Sequence, residues 1–108
     1  MKNKFILISM RQDYFYNKKE LRFCIDVKLI DWVLKLGFNP LLVSDIKTLN
    51  YFLKQKNFKF KGILLSGGNN INKNSLRYKI EKKLIEISKS KKIPLLGICH
   101  GMQFMNVF

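Results

Sequence analysis

The residue best suited to chemistry in this sequence is Cys99, which stands in the pattern Gly-Ile-Cys-His-Gly over residues 97–101. A nucleophile between two glycines, with a predicted strand before it and a predicted helix after it, is typical of a nucleophile elbow. Glycines suit such a turn because side chains beside the nucleophile would collide with neighbouring backbone. The dipole of the following helix would favour the thiolate, the nucleophilic form of cysteine. The spacing alone leaves open the alternative of a buried structural cysteine.

Alternating strands and helices must position this cysteine. Short apolar runs predict four strands, and amphipathic periodicity predicts helices between them. The predicted strands are Phe5–Ser9, Pro40–Val43, Gly62–Ser66 and Pro94–Ile98, and the predicted helices are about 19–36, 45–56 and 75–91, with a further helix from His100. This alternation predicts an α/β fold, a flavodoxin-like parallel sheet with helices on both faces.

Three glycine-bearing or reactive segments fall at the carboxyl ends of these strands, where such sheets collect their reactive groups. They are Ser9–Arg11, Ser66–Gly68 and Cys99. The sequence ends at Phe108 on an apolar helix start that has no cap and no strand after it, and a natural terminus rarely leaves such a surface uncovered. We therefore expect residues 1–108 to be the N-terminal portion of a single catalytic domain, a fold incomplete at its C-terminus.

Two segments about thirty residues apart carry a resemblance to a known family. Residues 63–68, Ile-Leu-Leu-Ser-Gly-Gly, precede residues 93–106, Ile-Pro-Leu-Leu-Gly-Ile-Cys-His-Gly-Met-Gln-Phe-Met-Asn. Together they resemble the class I glutamine amidotransferases, and within them the γ-glutamyl hydrolase branch, which includes γ-glutamyl-γ-aminobutyrate hydrolase. The segment around Cys99 is highly specific for this family, whereas the first sixty residues alone would be weak evidence for the resemblance.

The resemblance implies that Cys99 attacks the γ-carbonyl of glutamine or of a γ-glutamyl amide and forms a thioester. It places the oxyanion hole at a backbone N–H of the Gly67-Gly68 turn and at the N–H of His100, where negative charge develops on the carbonyl oxygen. Gln103 matches the family position that contacts the glutamyl substrate. For Gly67 and Gly68 the alternative of a merely flexible turn stays open.

A cysteine hydrolase also needs an imidazole to accept and return a proton. His100 is the only histidine, but adjacent residues at a helix start point about 100° apart, so it is badly placed to serve Cys99 as a base. In the family that the sequence resembles, the histidine and its acidic partner come from later in the chain. The 108 residues alone are therefore expected to be inactive.

Other polar or reactive residues have simpler explanations beside the functional ones. Cys24 is expected within the first helix as a core residue. Arg11 could bind a substrate carboxylate or a partner residue, or be an ordinary surface arginine. Arg77 and Glu81 are spaced for an ion pair one helical turn apart.

A net charge of +14 would normally suggest a nucleic acid or an anionic membrane as partner. However, 18 of the 21 basic residues are lysines scattered along the chain, alanine is absent, and AT-rich codons explain much of this bias. The sequence therefore argues against nucleic-acid binding. No apolar run is long enough for a membrane span and no signal-peptide cleavage site follows the first strand, so we expect a cytoplasmic protein without a disulfide.

The leading hypothesis is a γ-glutamyl amide hydrolase that takes a small-molecule glutamine or γ-glutamyl substrate, with a synthase partner if it delivers ammonia. The hydrolytic step needs no cofactor or metal, and the sequence shows no ATP loop, metal-ligand cluster or dinucleotide fingerprint. A second hypothesis is a truncated or degenerate homologue that acts only as a binding subunit. A third and weaker one is a basic nucleic-acid-binding module.

Overall fold

The computed structural model describes residues 4–68 and 73–98. Six strands and three α-helices occur in this part of the chain. They are β1 (Phe5–Ser9), β2 (Arg11–Phe15), β3 (Glu20–Cys24), α1 (Val27–Lys35), β4 (Asn39–Val43), α2 (Ile46–Leu53), β5 (Phe60–Leu65), α3 (Leu76–Lys91) and β6 (Leu95–Gly97). The predicted helix from His100 lies outside the described residues, as do the site predictions for Cys99, His100 and Gln103.

Four of these strands form one parallel sheet in the order β4-β1-β5-β6. The first strand thus lies inside the sheet, flanked by the next two main strands, as in flavodoxin-like folds. The α/β class and the flavodoxin-like sheet predicted from the sequence are confirmed. All four predicted strands are present with bounds shifted by at most two residues.

The alternation of side chains along β1 divides the core between the two faces of the sheet, because successive strand residues point to opposite sides. Leu7 packs in a cluster with residues of α2 and α3, including Leu49 and Leu84. Ile8, its neighbour, packs with Val33 of α1 in a second cluster. Helix α1 therefore covers one face of the sheet, and α2 and α3 cover the other.

Each helix begins at a capping side chain that the sequence supplies. Asp26, Asp45 and Ser75 each accept a hydrogen bond from a backbone N–H in the first turn of α1, α2 and α3. The prediction that Ser44 or Asp45 caps the second helix is confirmed for Asp45, although that helix ends at Leu53 and not near Lys56. Gly37 follows α1 with φ +89°, the left-handed conformation expected of a glycine after a helix.

The prediction of a continuous helix over residues 19–36 is wrong in its first part. Residues 11–24 form an antiparallel hairpin of β2 and β3, in which Arg11 lies opposite Cys24 and Phe15 lies opposite Glu20. The α-helix begins only after Asp26. Apolar residues recur with a period of two up to residue 24, as in a strand, and with a helical period after it. Cys24 accordingly ends a strand, half-buried, and does not lie within a helix.

Candidate active site

The carboxyl ends of β1, β5 and β6 meet at one edge of the sheet. Leu65 lies opposite Gly97 in the parallel register, and the backbone N–H of Ile98 donates to the carbonyl of Leu65 at 2.9 Å. The chain therefore reaches residue 98 directly beside the start of the Ser66–Gly68 segment. Cys99, which follows Ile98 in the sequence, is not among the described residues. The strand ends thus bring the position before the predicted nucleophile next to the predicted oxyanion glycines.

A cavity of about 660 Å³ opens at this edge, between the sheet, helix α1 and the hairpin. Ser66, Gly67, Gly68 and Ile98 form its wall on the sheet side. The remaining lining residues come from the hairpin and from the first turns of α1: Arg11, Asp13, Cys24, Ile25, Asp26, Lys28, Leu29 and Trp32. The cavity thus combines charged groups of both signs with one large aromatic side chain.

Gly68 adopts φ +91°, a backbone conformation that side chains other than glycine rarely take. A Cβ at this position would also come within 3.0 Å of the Cδ atom of Arg11. The backbone conformation favours glycine here, and a larger residue would also have to displace the Arg11 side chain slightly. The conformation of Gly68 is therefore specific, while the oxyanion role predicted for this turn stays a prediction.

A single buried arginine holds the Ser66–Gly68 segment, which we call the glycine loop. The Nη2 atom of Arg77 donates to the carbonyl of Ser66 at 2.6 Å, and Nη1 donates to the carbonyls of Gly68 at 2.6 Å and Gly67 at 3.3 Å. The Arg77 side chain is only 2% exposed. Burial lowers the pKa of Arg77 from its ordinary value, and the negative charge of Glu81 opposes that shift.

Glu81 and two serines complete this buried polar cluster. The Glu81 carboxylate lies 3.3 Å from Nε of Arg77 and accepts a hydrogen bond from Ser9 Oγ at 2.6 Å. Ser9 Oγ in turn accepts from the N–H of Ser66 at 3.1 Å, and Ser66 Oγ donates to the carbonyl of Ser9 at 2.6 Å. The ion pair predicted between Arg77 and Glu81 is confirmed, but it lies in the protein interior and links α3 to the ends of β1 and β5.

Arg11 lies on the opposite, open side of the glycine loop. Its side chain is 55% exposed and pairs with Asp13 at 2.8 Å, while its aliphatic stem packs against Gly68. The hydrogen bond and charge of Asp13 raise the pKa of Arg11 above its ordinary value. Arg11 thus has a partner residue in Asp13 and borders the cavity, and its exposure equally fits the alternative of an ordinary surface arginine.

The sequence reasoning missed the role of Arg77, Glu81 and Ser9 around the glycine loop. A signal was available, because Arg77 and Glu81 occupy the same helical stripe as the buried Ile80, Leu84 and Ile87. Polar residues in such a stripe are expected to be buried and therefore to need partners. Asp13 was not predicted as a cavity residue, because residues 11–15 were not recognised as the first strand of a hairpin.

No group of three or more histidine, cysteine or acidic side chains that could hold a metal ion occurs within residues 4–68 and 73–98. In that same part of the chain, no helix is both long and apolar enough to cross a membrane.

Comparison with known proteins agrees with this architecture. The family model described as glutamine amidotransferase class-I matches residues 26–108. The chain is 36% identical over 110 residues to a gamma-glutamyl-CDP-amidate hydrolase of Campylobacter jejuni, an alignment that covers 94% of this chain and 53% of that protein. It is also 36% identical over 66 residues to a glutamine-hydrolyzing GMP synthase of Plasmodium falciparum, covering 60% of this chain and 12% of the synthase.

In open parallel α/β sheets, ligands bind at the carboxyl ends of the strands, where the glycine loop of this chain lies. The chain belongs to the class-I glutamine amidotransferase family. It spans about half the length of the Campylobacter hydrolase that it matches.

Proposed function

We propose that this chain is the N-terminal part of a glutamine amidotransferase-type cysteine hydrolase that cleaves a γ-glutamyl amide bond, with Cys99 as the nucleophile. The observation that carries the proposal is the junction of β5 and β6, where the glycine loop lies beside the residue that precedes Cys99. A nucleophile and backbone N–H donors at adjacent strand ends are what acyl transfer requires. The cavity at this junction offers the space for a substrate.

The proposed reaction proceeds in two steps. The Cys99 thiolate attacks the γ-carbonyl carbon, and collapse of the tetrahedral intermediate breaks the C–N bond and releases the amine, which takes up a proton. Water then hydrolyses the thioester, which frees glutamate and restores the thiol. Backbone N–H groups of Gly67 or Gly68 and of His100 would stabilise the oxyanion in both steps, and loss of one such donor typically costs about 10²–10³ in rate.

Proton transfer needs a base that His100 is badly placed to provide, as its position next to Cys99 indicates. The proposal therefore requires a histidine and an acidic residue beyond Phe108. On this proposal Gln103 and Arg11 contact the substrate, with Arg11 binding a carboxylate at the open side of the cavity, where its guanidinium is exposed.

A γ-glutamyl conjugate is a better candidate substrate than free glutamine. The similarity to the hydrolase whose name specifies a γ-glutamyl amidate covers 94% of this chain, against 60% for the similarity to the synthase. The cavity is also lined by Lys28 and Trp32, a cationic and an aromatic side chain that could contact the group attached to the γ-glutamyl moiety. A synthase partner that receives ammonia would be needed only if glutamine itself were the substrate.

The second candidate is a non-catalytic homologue that binds γ-glutamyl compounds without cleaving them. The observation that favours it is the single histidine, His100, among the 108 residues. Such a protein would keep the cavity and Arg11 but would not activate Cys99 as a nucleophile.

Selective modification of Cys99 tests the two candidates. The protein translated from the complete reading frame is treated with a chloroketone analogue of glutamine, and the labelled peptides are identified by mass spectrometry. We expect modification at Cys99 that excess glutamine suppresses, and loss of γ-glutamyl amide hydrolysis in Cys99→Ser. Cys24→Ser is the matched control, since Cys24 borders the same cavity but is the last residue of β3 in the hairpin. Equal labelling of both cysteines, or none, would contradict the proposal.

A further inference from the structure

One guanidinium accounts for the conformation of the whole glycine loop. Arg77 donates to three successive backbone carbonyls, those of Ser66, Gly67 and Gly68, at 2.6, 3.3 and 2.6 Å. The guanidinium is planar and rigid, so its N–H groups can fix several acceptors at once. The three carbonyl oxygens are therefore all turned toward α3.

Because the peptide bond is planar, the direction of each carbonyl also determines the direction of the N–H group that follows it. In a trans peptide the carbonyl of one residue and the N–H of the next point in opposite directions. Fixing the carbonyls of Ser66 and Gly67 toward Arg77 thus turns the N–H groups of Gly67 and Gly68 away from α3. Helix α3 covers one face of the sheet, and the cavity lies on the other, beside α1. The N–H groups are consequently directed toward the cavity.

Glu81 holds Arg77 in this orientation. Its carboxylate lies 3.3 Å from Nε of Arg77 and receives the hydroxyl of Ser9 at 2.6 Å. Ser9 is the last residue of β1, an inner strand of the sheet, and its Oγ also accepts a hydrogen bond from the N–H of Ser66 at 3.1 Å. Contacts with β1 and with the end of β5 therefore fix the orientation of the guanidinium, which does not depend on the glycine loop alone.

Burial makes a purely stabilising role a poor explanation for this pair. The side chains of Arg77 and Glu81 are 2% and 0% exposed, and desolvation of a buried ion pair offsets most of its attraction. Apolar side chains of similar size would serve packing in the stripe of Ile80 and Leu84 equally well. What apolar side chains could not supply is a set of donors for three carbonyls.

We propose that Arg77 is a positioning residue that presets the oxyanion hole by orienting the peptide groups of Ser66–Gly68, with Glu81 and Ser9 fixing its guanidinium. This inference rests on the proposed function, because it concerns the donors of that reaction. It gives α3, which does not border the cavity, a direct influence on the rate of the chemical step.

The test separates rate from folding. In the protein from the complete reading frame, Arg77→Met with Glu81→Leu removes both charges and leaves no unpaired buried ion, so the variant should fold. We expect its kcat for hydrolysis of γ-glutamyl-p-nitroanilide to fall by about 10²–10³-fold with little change in KM, the loss typical of one oxyanion donor. The kcat of Arg77→Lys should lie between those of the double variant and of wild type, since an ammonium cannot span three carbonyls.

Alkylation of Cys99 by iodoacetamide provides a readout that does not need an oxyanion hole, because no charge develops on a carbonyl oxygen in that substitution. We expect the alkylation rate of the double variant to match wild type while hydrolysis falls. Arg22→Met is the matched control, because Arg22 pairs with Glu20 at 2.8 Å on the exposed hairpin, and it should leave both rates unchanged.

The outcomes distinguish the two proposals. If the wild-type protein hydrolyses the substrate and the double variant does so equally well, the positioning role of Arg77 is wrong and the proposed function stands. If hydrolysis and alkylation fall together, Arg77 acts on the whole site through folding and the inference is again wrong. If wild type neither hydrolyses the substrate nor reacts selectively at Cys99, the proposed function fails and this inference fails with it.

Discussion

Two arginine–carboxylate pairs flank the same glycine loop and differ in almost every physical respect. Arg77 and Glu81 are 2% and 0% exposed and lie one helical turn apart on α3. Arg11 and Asp13 are 55% and 28% exposed and lie two residues apart on β2. Arg77 of the first pair donates to the carbonyls of the loop, and Arg11 of the second packs its aliphatic stem against Gly68.

The pKa values of the two arginines shift in opposite directions. Burial lowers the pKa of Arg77, whereas the hydrogen bond to Asp13 raises the pKa of Arg11. A buried charge that loses its partner has no water to replace it, but an exposed one exchanges its partner for solvent at little cost. The buried pair is therefore suited to fixing geometry, and on the proposed function the exposed Arg11 could exchange Asp13 for a substrate carboxylate.

The largest expected effect is on stability when the buried pair is broken. Arg77→Met leaves the Glu81 carboxylate buried without its cation and should lower the free energy of unfolding by about 3–5 kcal/mol. Urea denaturation followed by circular dichroism measures the change. Arg11→Met is the matched control and should leave the urea midpoint unchanged within error. Similar losses in both variants would show that the two pairs do not differ as their burial indicates.

Removing both buried charges sharpens the same comparison. Arg77→Met combined with Glu81→Leu should regain about 2–4 kcal/mol of the loss caused by Arg77→Met alone, because no uncompensated ion remains in the core. The same urea experiment provides the measurement, and Glu81→Leu alone completes the double-mutant cycle. A double variant no more stable than Arg77→Met would indicate that the hydrogen bonds to the glycine loop, and not the ion pair, dominate the stability of this region.

Glycine substitutions separate backbone conformation from contact with Arg11. Gly68→Ala and Gly37→Ala both place alanine at a φ near +90°, and each should cost about 1–2 kcal/mol of stability. Gly68→Ala should cost more, because its Cβ would meet Arg11 at 3.0 Å, whereas nothing lies within 4 Å of a Cβ at Gly37. Thermal unfolding compares the two. Equal costs would mean that the Arg11 stem moves aside freely.

The smallest effect is expected from loss of the exposed guanidinium. Arg11→Gln should raise KM for a γ-glutamyl substrate on the order of tenfold, the value of one charge-assisted hydrogen bond, and leave kcat nearly unchanged. The difference from wild type should shrink in 1 M NaCl, because salt screens exposed charges. Steady-state kinetics at low and high salt checks both statements. A fall in kcat with unchanged KM would assign Arg11 to the chemical step and not to binding.

Much of the fold followed from local pattern. The strands at Phe5–Ser9 and Phe60–Leu65 are short apolar runs between turn residues, and the helix Leu76–Lys91 shows a clear buried stripe. The hairpin was not recognised because Leu21 and Phe23, which alternate with charged residues along β3, merge in sequence with the helical pattern that begins after Asp26. Five residues with a period of two are a weak signal for a strand when a longer helical pattern follows them directly.

The sequence by itself determined the family, the parallel sheet and the glycine loop at its carboxyl edge, because these depend on local periodicity and on short motifs. It also indicated that Arg77 and Glu81 form an ion pair, since their spacing is a property of one helix. Only the tertiary structure decided that this pair is buried and holds the carbonyls of residues 66–68, whereas Arg11 remains exposed at the cavity. Burial depends on which face of α3 meets the sheet, and contacts between residues so far apart in the chain are fixed by packing and not by sequence spacing.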